Sequence, residues 1–590
     1  MKKGDKEKYV RQIDGFMKFL TILALSLSFT AHAEYELRSY DIRKTSESDG
    51  SGKQNLKNPI SEKRVIIPAL QGLIMAPDSD KPGSYVLKTT KGVQIYRVMQ
   101  GLSLKKREAL QKELEKSVIG KPLTLEKIEE IKKKIAKFYQ KNGHALVVVN
   151  VPEQDVTDGV VVVTVLEARL GKVFVTGNKW FSSEWYMKNL SVEEDQTIET
   201  SIVDGDIAYI NDSPWRKASA IYKPGSKYGT TDVELFVQDE RPARLFVGAD
   251  NTGFKVTNYN RLFVGFNWGN ILNYDQNLAF QYTAAPNFKK FQAYTAFYSV
   301  RLPWRDEISL FGGYSSVDVD RSDFIPTSRN KGSDWQASIR YSPFIVPNGN
   351  FFQKAKAGFD LKQTNNDLTV ANINYVANSF ATVFQAVGAY EASYTYKKNS
   401  FDFVGEGYVQ PWDFGKTMSE TNYAQLRPNA VNKYLYIRLK GDYAWKDASG
   451  MMFTAKARAQ FSSGALIPLE TLGLGGINSV RGYVERVVNV DNGGIFNFEF
   501  RSPFFSPSGK RINDHLAAVV FADLAAGGVL KSLSGQPSSY FLAGIGPGIR
   551  YDISTVLRTR FDVGFRLTDT PFASSSSSVA QYYFGVIASY

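Results

Sequence analysis

The 590 residues of the chain suffice for roughly three or four ordinary domains, or for one large membrane barrel with smaller domains attached. The composition is 43% hydrophobic, 22% charged and 13% aromatic with no cysteine, which excludes disulfide scaffolds, iron–sulfur clusters and thiolate zinc sites. The only histidines, His32, His144 and His515, leave little material for imidazole metal sites or Ser-His-Asp chemistry, and the net charge of +13 points to an acidic partner, an anionic lipid face or nucleic acid.

Residues 1–33 carry the pattern of a secretory signal: Lys18, the apolar run Phe19 to Thr30, and the small-residue site Ala31-His32-Ala33. The run is too short to span a bilayer as a helix. Met17 opens a compact signal of normal proportions, so either Met1 or Met17 serves as the start. This segment holds six basic and three acidic residues, so the mature chain from Glu34 keeps +13 less +3, or +10. An exported protein is not expected to meet nucleic acid. Residues 34–63 are polar and rich in Ser, Lys, Asn, Asp and Gly, and read as a flexible leader without an amphipathic helix.

Residues 64–168 and 169–242 read as two small α/β units. In the first, a strand over 64–75 precedes helices over 102–118 and 124–142, then strands over 145–151 and 159–166. Leu125, Ile128, Ile131, Ile135 and Phe138 line one side of the second helix, with Thr124 as N-cap and Gly143 just past its end. Its surrounding lysines read as a solvated face. The second unit repeats the order, with a strand over 172–176, helices over 183–190 and 201–210, and strands over 217–222 and 232–239. Both are β-α-α-β-β in outline.

From residue 243 to 590 the period changes to two. Phe453, Ala455, Ala457, Ala459 and Phe461 alternate with Thr454, Lys456, Arg458 and Gln460. Further on, Phe561, Val563, Phe565 and Leu567 alternate with Arg560, Asp562 and Arg566. The last strand sets Tyr582, Phe584, Val586, Ala588 and Tyr590 on one face. No stretch after residue 33 has eighteen consecutive apolar residues, so a membrane role requires a closed barrel. Alternation with aromatic strand ends fits an outer-membrane antiparallel β-barrel, and the available length supplies about 16 strands.

The order of signal, two small domains and barrel resembles the two-partner secretion outer-membrane transporters, the TpsB-type haemolysin and filamentous-haemagglutinin secretion-activation proteins, whose small units are POTRA domains. The run GGINSVRGYVE contains Val480, Arg481, Gly482 and Tyr483 and resembles the V-R-G-Y tip of the long loop that folds back into the lumen in that family. Phe521 and Asp523 in FADLA resemble the F-x-D-x-G strand motif, whose aspartate pairs with the loop arginine; alanine stands here at the final position. The segments Pro224-Gly225, Gly229-Thr230-Thr231-Asp232 and Asp250-Asn251-Thr252-Gly253 resemble boundary motifs of the family.

The resemblance implies a pore in the outer membrane of a Gram-negative-type bacterium, with POTRA domains in the periplasm. Its partners are a large secreted β-helical polypeptide and outer-membrane lipid; it acts as a monomer, needs no cofactor or metal, and is not an enzyme. Lys456, Arg458, Glu499, Arg558, Arg560, Asp562 and Arg566 are expected to face the lumen. The alternative is a barrel-assembly insertase of the same superfamily, which usually carries three to five POTRA units; a passive porin or adhesin fits the loop motif poorly. Terminal sequencing of the protein isolated from outer membranes should give Glu34 as the first residue.

Overall fold

The computed structural model describes residues 65–590 apart from 86–88, 100, 255–256, 321–327, 371–372, 377–379, 510, 535 and 570–578. The expected signal (1–33) and leader (34–63) lie outside the described residues.

The first small unit is a four-stranded sheet in the order Gly92–Ile95, Gly72–Pro77, Val160–Glu167, Val147–Asn150. The helices Leu104–Val118 and Leu125–Lys141 bury Leu110, Leu114 and Val118, and Ile131, Ile135 and Tyr139, at the four-residue spacing of one helix face. Thr124 caps the second helix by accepting from Lys127 N at 3.2 Å. Its lysines pair along the surface, Lys127 and Lys134 with Glu130 and Lys132 with Glu129. The strand expected over 64–75 is two strands: Val65–Ile67 pairs with Leu123–Thr124, and only Gly72–Pro77 joins the main sheet. The Gly92–Ile95 edge strand is additional to the β-α-α-β-β outline. Burial explains the unbroken valines of 160–163: Val161 and Val163 pack with the helices, while Val160 and Val162 pack with Ile74 and Ala76 on the other face.

The second unit follows the expected order, with Arg169–Thr176, helices Ser183–Lys188 and Thr200–Asn211, then Arg216–Pro224 and Thr230–Asp239. Thr230–Asp239 is central, parallel to the first strand and antiparallel to the second. Arg216 is fully buried, donating to Ile210 O at 2.9 Å with its guanidinium 4.0 Å from the Trp185 ring centroid. Only Ala168 separates the last strand of the first unit from the first strand of the second, and its backbone is held on both sides: Ala168 N donates to Leu146 O, and Ile198 N donates to Ala168 O. Thr200 Oγ1 adds a bond to Gly143 O at 2.8 Å. Tyr139 Oη donates to Glu167, next to that junction, and burial together with this carboxylate raises the phenol well above its ordinary range.

The remainder is a closed antiparallel barrel of 16 strands, as the length and alternation predict. Its first strand, Ala243–Asp250, pairs on one side with Arg261–Gly269 and on the other with the last, Ala580–Ser589. Closure satisfies every edge, as lipid requires of strands, and among the described residues no helix is long and apolar enough to cross a membrane. Phe496, Phe498 and Phe500 point outward and are exposed, while Asn497 and Glu499 between them point inward. Phe453 stacks on Phe498 and Phe561 on Tyr582 across neighbouring outer faces.

Replacing Ile135, which is fully buried against the first sheet, by Ala should cost the small units about 2–5 kcal/mol. Helical circular dichroism of the whole protein isolates this transition, because the barrel contributes strand signal.

Candidate functional site

The strands Met452–Ser462 and Asn492–Arg501 are adjacent in the barrel, and the loop between them enters the lumen. It makes its own small ladder, Leu472–Leu474 with Val488–Val490, and turns at Gly475, Gly476 and Gly482, all at positive φ. One side is apolar: Leu474, Val480, Tyr483, Val488 and Val490 pack on Ile495, Ala525, Tyr540 and Leu542 of the wall.

At the tip, Arg481 is 3% exposed and meets Asp523 through both carboxylate oxygens, Nε to Oδ2 at 2.7 Å and Nη2 to Oδ1 at 2.9 Å. Its backbone N–H donates to Asp523 Oδ2 at 3.0 Å. The guanidinium lies 3.4 Å from the centroid of the Phe521 ring, and Nη1 reaches Glu499 at 3.2 Å and Asp562 at 3.6 Å. Asn497 Nδ2 bridges Asp523 Oδ1 and Ser479 O. Register places these groups: Asp523 lies opposite Asn497 on one side and Gly544 on the other, and Phe521 opposite Glu499. Ala525, where the family motif has glycine, is buried in the apolar cluster behind the loop and leaves Asp523 facing inward.

Arg550, which sequence reasoning does not single out, completes the acid–base set, donating from Nη1 to Asp562 at 2.6 Å and from Nη2 to Glu499 at 3.1 Å. Arg560 lies 3.5 Å from Asp562. Val480 and Tyr483 are buried, and Tyr483 Oη donates to Ala543 O at 3.1 Å. Tyr583 Oη accepts from Gly482 N at 3.0 Å and donates to Tyr483 O at 2.6 Å.

The other lumen candidates lie around this cluster. Arg458 reaches Asn497 at 3.5 Å, Lys456 is half-buried and faces Asn497 across the ladder, Arg558 faces Asp552, and Arg566 lies 3.7 Å from Asp569.

The tip can approach the wall because the wall lacks side chains there. A Cβ on Gly544 would lie 1.9 Å from Arg481 O, and one on Gly564 would lie 2.3 Å from Gly482 N. Nothing local in the sequence marks these two strand glycines.

The descending limb of the loop is fixed to a distant part of the wall. Glu470 is fully buried and accepts from Lys362 Nζ at 2.8 Å and from Tyr436 Oη. Lys362 also lies 3.6 Å from Asp360, which pairs with Arg340, while Arg438 Nη2 donates to Glu470 O at 3.0 Å. The loop is thus tied to strands Phe351–Val370 and Tyr434–Lys446 at one limb and to Asp514–Gly528 and Ser539–Ile553 at its tip. It crosses the lumen.

A closed barrel with an arginine-tipped loop inside it, preceded by small α/β units, defines a POTRA-containing outer-membrane transporter. The chain belongs to the haemolysin secretion/activation protein family ShlB/FhaC/HecB, whose model matches residues 229–551, and a ShlB-type POTRA domain model matches residues 96–168. It is an outer-membrane protein of the two-partner secretion type. The heme/hemopexin transporter protein HuxB of Haemophilus influenzae is 21% identical over 458 residues, covering 74% of this chain and 76% of the relative. The outer membrane transporter CdiB of Escherichia coli O6:K15:H31 is 24% identical over 380 residues, 60% of this chain and 59% of the relative. Among solved structures, CdiB from Escherichia coli superposes with a TM-score of 0.70 at 17% identity, covering 100% of this chain and 99% of that one. CdiB from Acinetobacter baumannii gives 0.67 at 15%, with 98% coverage of each. These likenesses show the shared fold.

Asp523→Ala should release the tip, because removing one partner of a buried ion pair costs about 3–5 kcal/mol; planar-bilayer recordings should show larger and more variable conductance. Gly544→Val should give a similar change with every charge intact, by pushing Arg481 off the wall. Wild-type conductance in both variants would remove the tip from the control of the pore.

Proposed function

We propose that this chain secretes one large β-helical exoprotein, captured unfolded in the periplasm and passed through the lumen of a single barrel. The family match over most of the barrel carries this reading. The domain limits that go with it are a signal at 1–33, a leader at 34–63, POTRA domains at 64–168 and 169–242, and the barrel at 243–590.

Capture follows from sheet edges. Arg216–Pro224 is an edge strand of its sheet, as are Gly92–Ile95 and Val147–Asn150 of theirs. An unfolded segment can add to such an edge through backbone hydrogen bonds with little demand on its side chains. In the lumen, Val480, Arg481, Gly482 and Tyr483 form the loop tip, with Phe521 and Asp523 as its seat. Lys456, Arg458, Arg558, Arg560 and Arg566, with Glu499 and Asp562, keep the path hydrated and favour acidic segments of the cargo. Lipid meets the outward aromatic and aliphatic face. The protein does no covalent chemistry, and folding of the cargo at the cell surface supplies the direction of transport. The names of the relatives describe transporters, in keeping with a role without catalysis.

Deletion of the gene should strand a large repetitive exoprotein, encoded beside it, in the periplasm while other outer-membrane barrels stay at normal levels. Depletion of those barrels with normal secretion would make the chain an insertase instead.

A further inference from the structure

At the end of the barrel opposite Ala243 and Tyr590, three connections converge on one carboxylate. They are residues 411–433, which include the short helix Glu420–Leu426, the lumen loop 463–491, and the stretch 529–534 that follows Asp514–Gly528. Asp491, at the foot of the lumen loop, is fully buried. It receives both arms of Arg427 from the first connection, Nη1 to Oδ1 at 2.6 Å and Nη2 to Oδ2 at 2.7 Å. Leu466 N of its own loop donates to Oδ1 at 2.8 Å, and Leu530 N of the third connection donates to Oδ2 at 2.7 Å. Arg427 returns the exchange, donating to Leu466 O at 2.6 Å and Leu530 O at 3.3 Å. A carboxylate so enclosed, with four donors drawn from three separate connections, fixes all three together.

The first two of these connections share a packed core. Tyr423 and Ala430 of the first and Leu466, Ile467 and Leu469 of the lumen loop pack with Val383, Val387, Tyr434 and Tyr436 of the wall. Tyr423 Oη donates to Thr382 O at 2.8 Å and accepts from Gln410. The connections are therefore packed together as a cap on the wall at this end of the barrel, opposite Ala243 and Tyr590.

We propose that Asp491 and Arg427 form a latch on the outer mouth that has to open for a polypeptide to leave, separate from the Arg481–Asp523 anchor inside. The proposal rests on the secretion reading, which makes this end the extracellular one. Opening the latch separates connections and leaves the ladders between barrel strands intact, so the mouth opens while the wall stays closed to lipid. Arg427 and Asp491 are positioning residues: they hold the cap and need not touch the cargo.

Two experiments test this. Asn429 and Lys531 are exposed beside the latch, and Asn429 Nδ2 donates to Lys531 O at 3.1 Å. The chain has no cysteine, so Asn429→Cys with Lys531→Cys gives a unique pair for a short bifunctional methanethiosulfonate reagent. Bridging it in cells should abolish release of the exoprotein, and reductant should restore it; undiminished secretion by the bridged protein would overturn the latch. In the second experiment, purified Arg427→Ala and Asp491→Asn, inserted in planar bilayers without cargo, should show a higher open probability than wild type, and Asp523→Ala should add to it. Wild-type currents from both latch variants, with heat-modifiable gel migration confirming folded barrels, would overturn it as well. If the unbridged cysteine protein inserts but secretes nothing, the secretion reading fails, and the bilayer currents alone decide whether the latch exists.

Discussion

The buried guanidinium of Arg481 is the interaction on which the lumen is organised. It sits between three carboxylates, Asp523, Glu499 and Asp562, and over the Phe521 ring, where bulk water is largely excluded. A charge in such a place is tolerable only with its partners present. Each partner comes from a different strand: Glu499 from Asn492–Arg501, Asp523 from Asp514–Gly528 and Asp562 from Leu557–Arg566. The loop tip therefore reads the correct register of the wall, since a one-residue slip would turn the acids toward lipid. Arg550 and Arg560 then balance the remaining two negative charges.

This organisation separates two requirements that a secretion pore has to meet. The wall must never open to lipid, and it is held by continuous ladders with no free edge. The lumen must open to the cargo, and among the described residues the backbone that enters it belongs to the loop 463–491 rather than to the strands. Polar contacts suit the second task because water can replace each partner as the connection moves, whereas an apolar plug would expose its surface. Glu470 with Lys362 and Arg481 with Asp523 fix the crossing loop at well-separated points of the wall.

The sequence makes the covalent neighbourhoods legible and hides the distant ones. The helix at Leu125–Lys141 is plain from its apolar spacing and its Thr124 cap, and the barrel strands from alternation. The pairing of Arg481 with Asp523 follows from a resemblance between motifs, not from spacing. By contrast, Lys362 and Glu470, or Arg427 and Asp491, come together across chain separations of 108 and 64 residues. A lysine alternating with apolar neighbours looks like any hydrated lumen residue, and nothing in its surroundings reveals that it is buried. Gly544 and Gly564 are equally silent, because a glycine in a strand gains its meaning only from what approaches it. The Gly92–Ile95 strand is missed for a simpler reason: four residues are too few to show a period.

The single residue between the last strand of the first small sheet and the first strand of the second has a bearing on recognition. Two modules on a flexible tether search for their second contact at an effective concentration set by tether length. Here the backbone of Ala168 is pinned from both sides and Thr200 fastens the flank, so there is no tether to speak of. The separation between the edges of the two sheets becomes a fixed property of the protein. A cargo that engages both must carry its two strand-forming stretches at a matching interval, and a shift of a few residues between them would forfeit the gain from bivalency. For the two-edge capture proposed above, the junction therefore sets one interval, and the distance between the cargo's segments counts beside their composition.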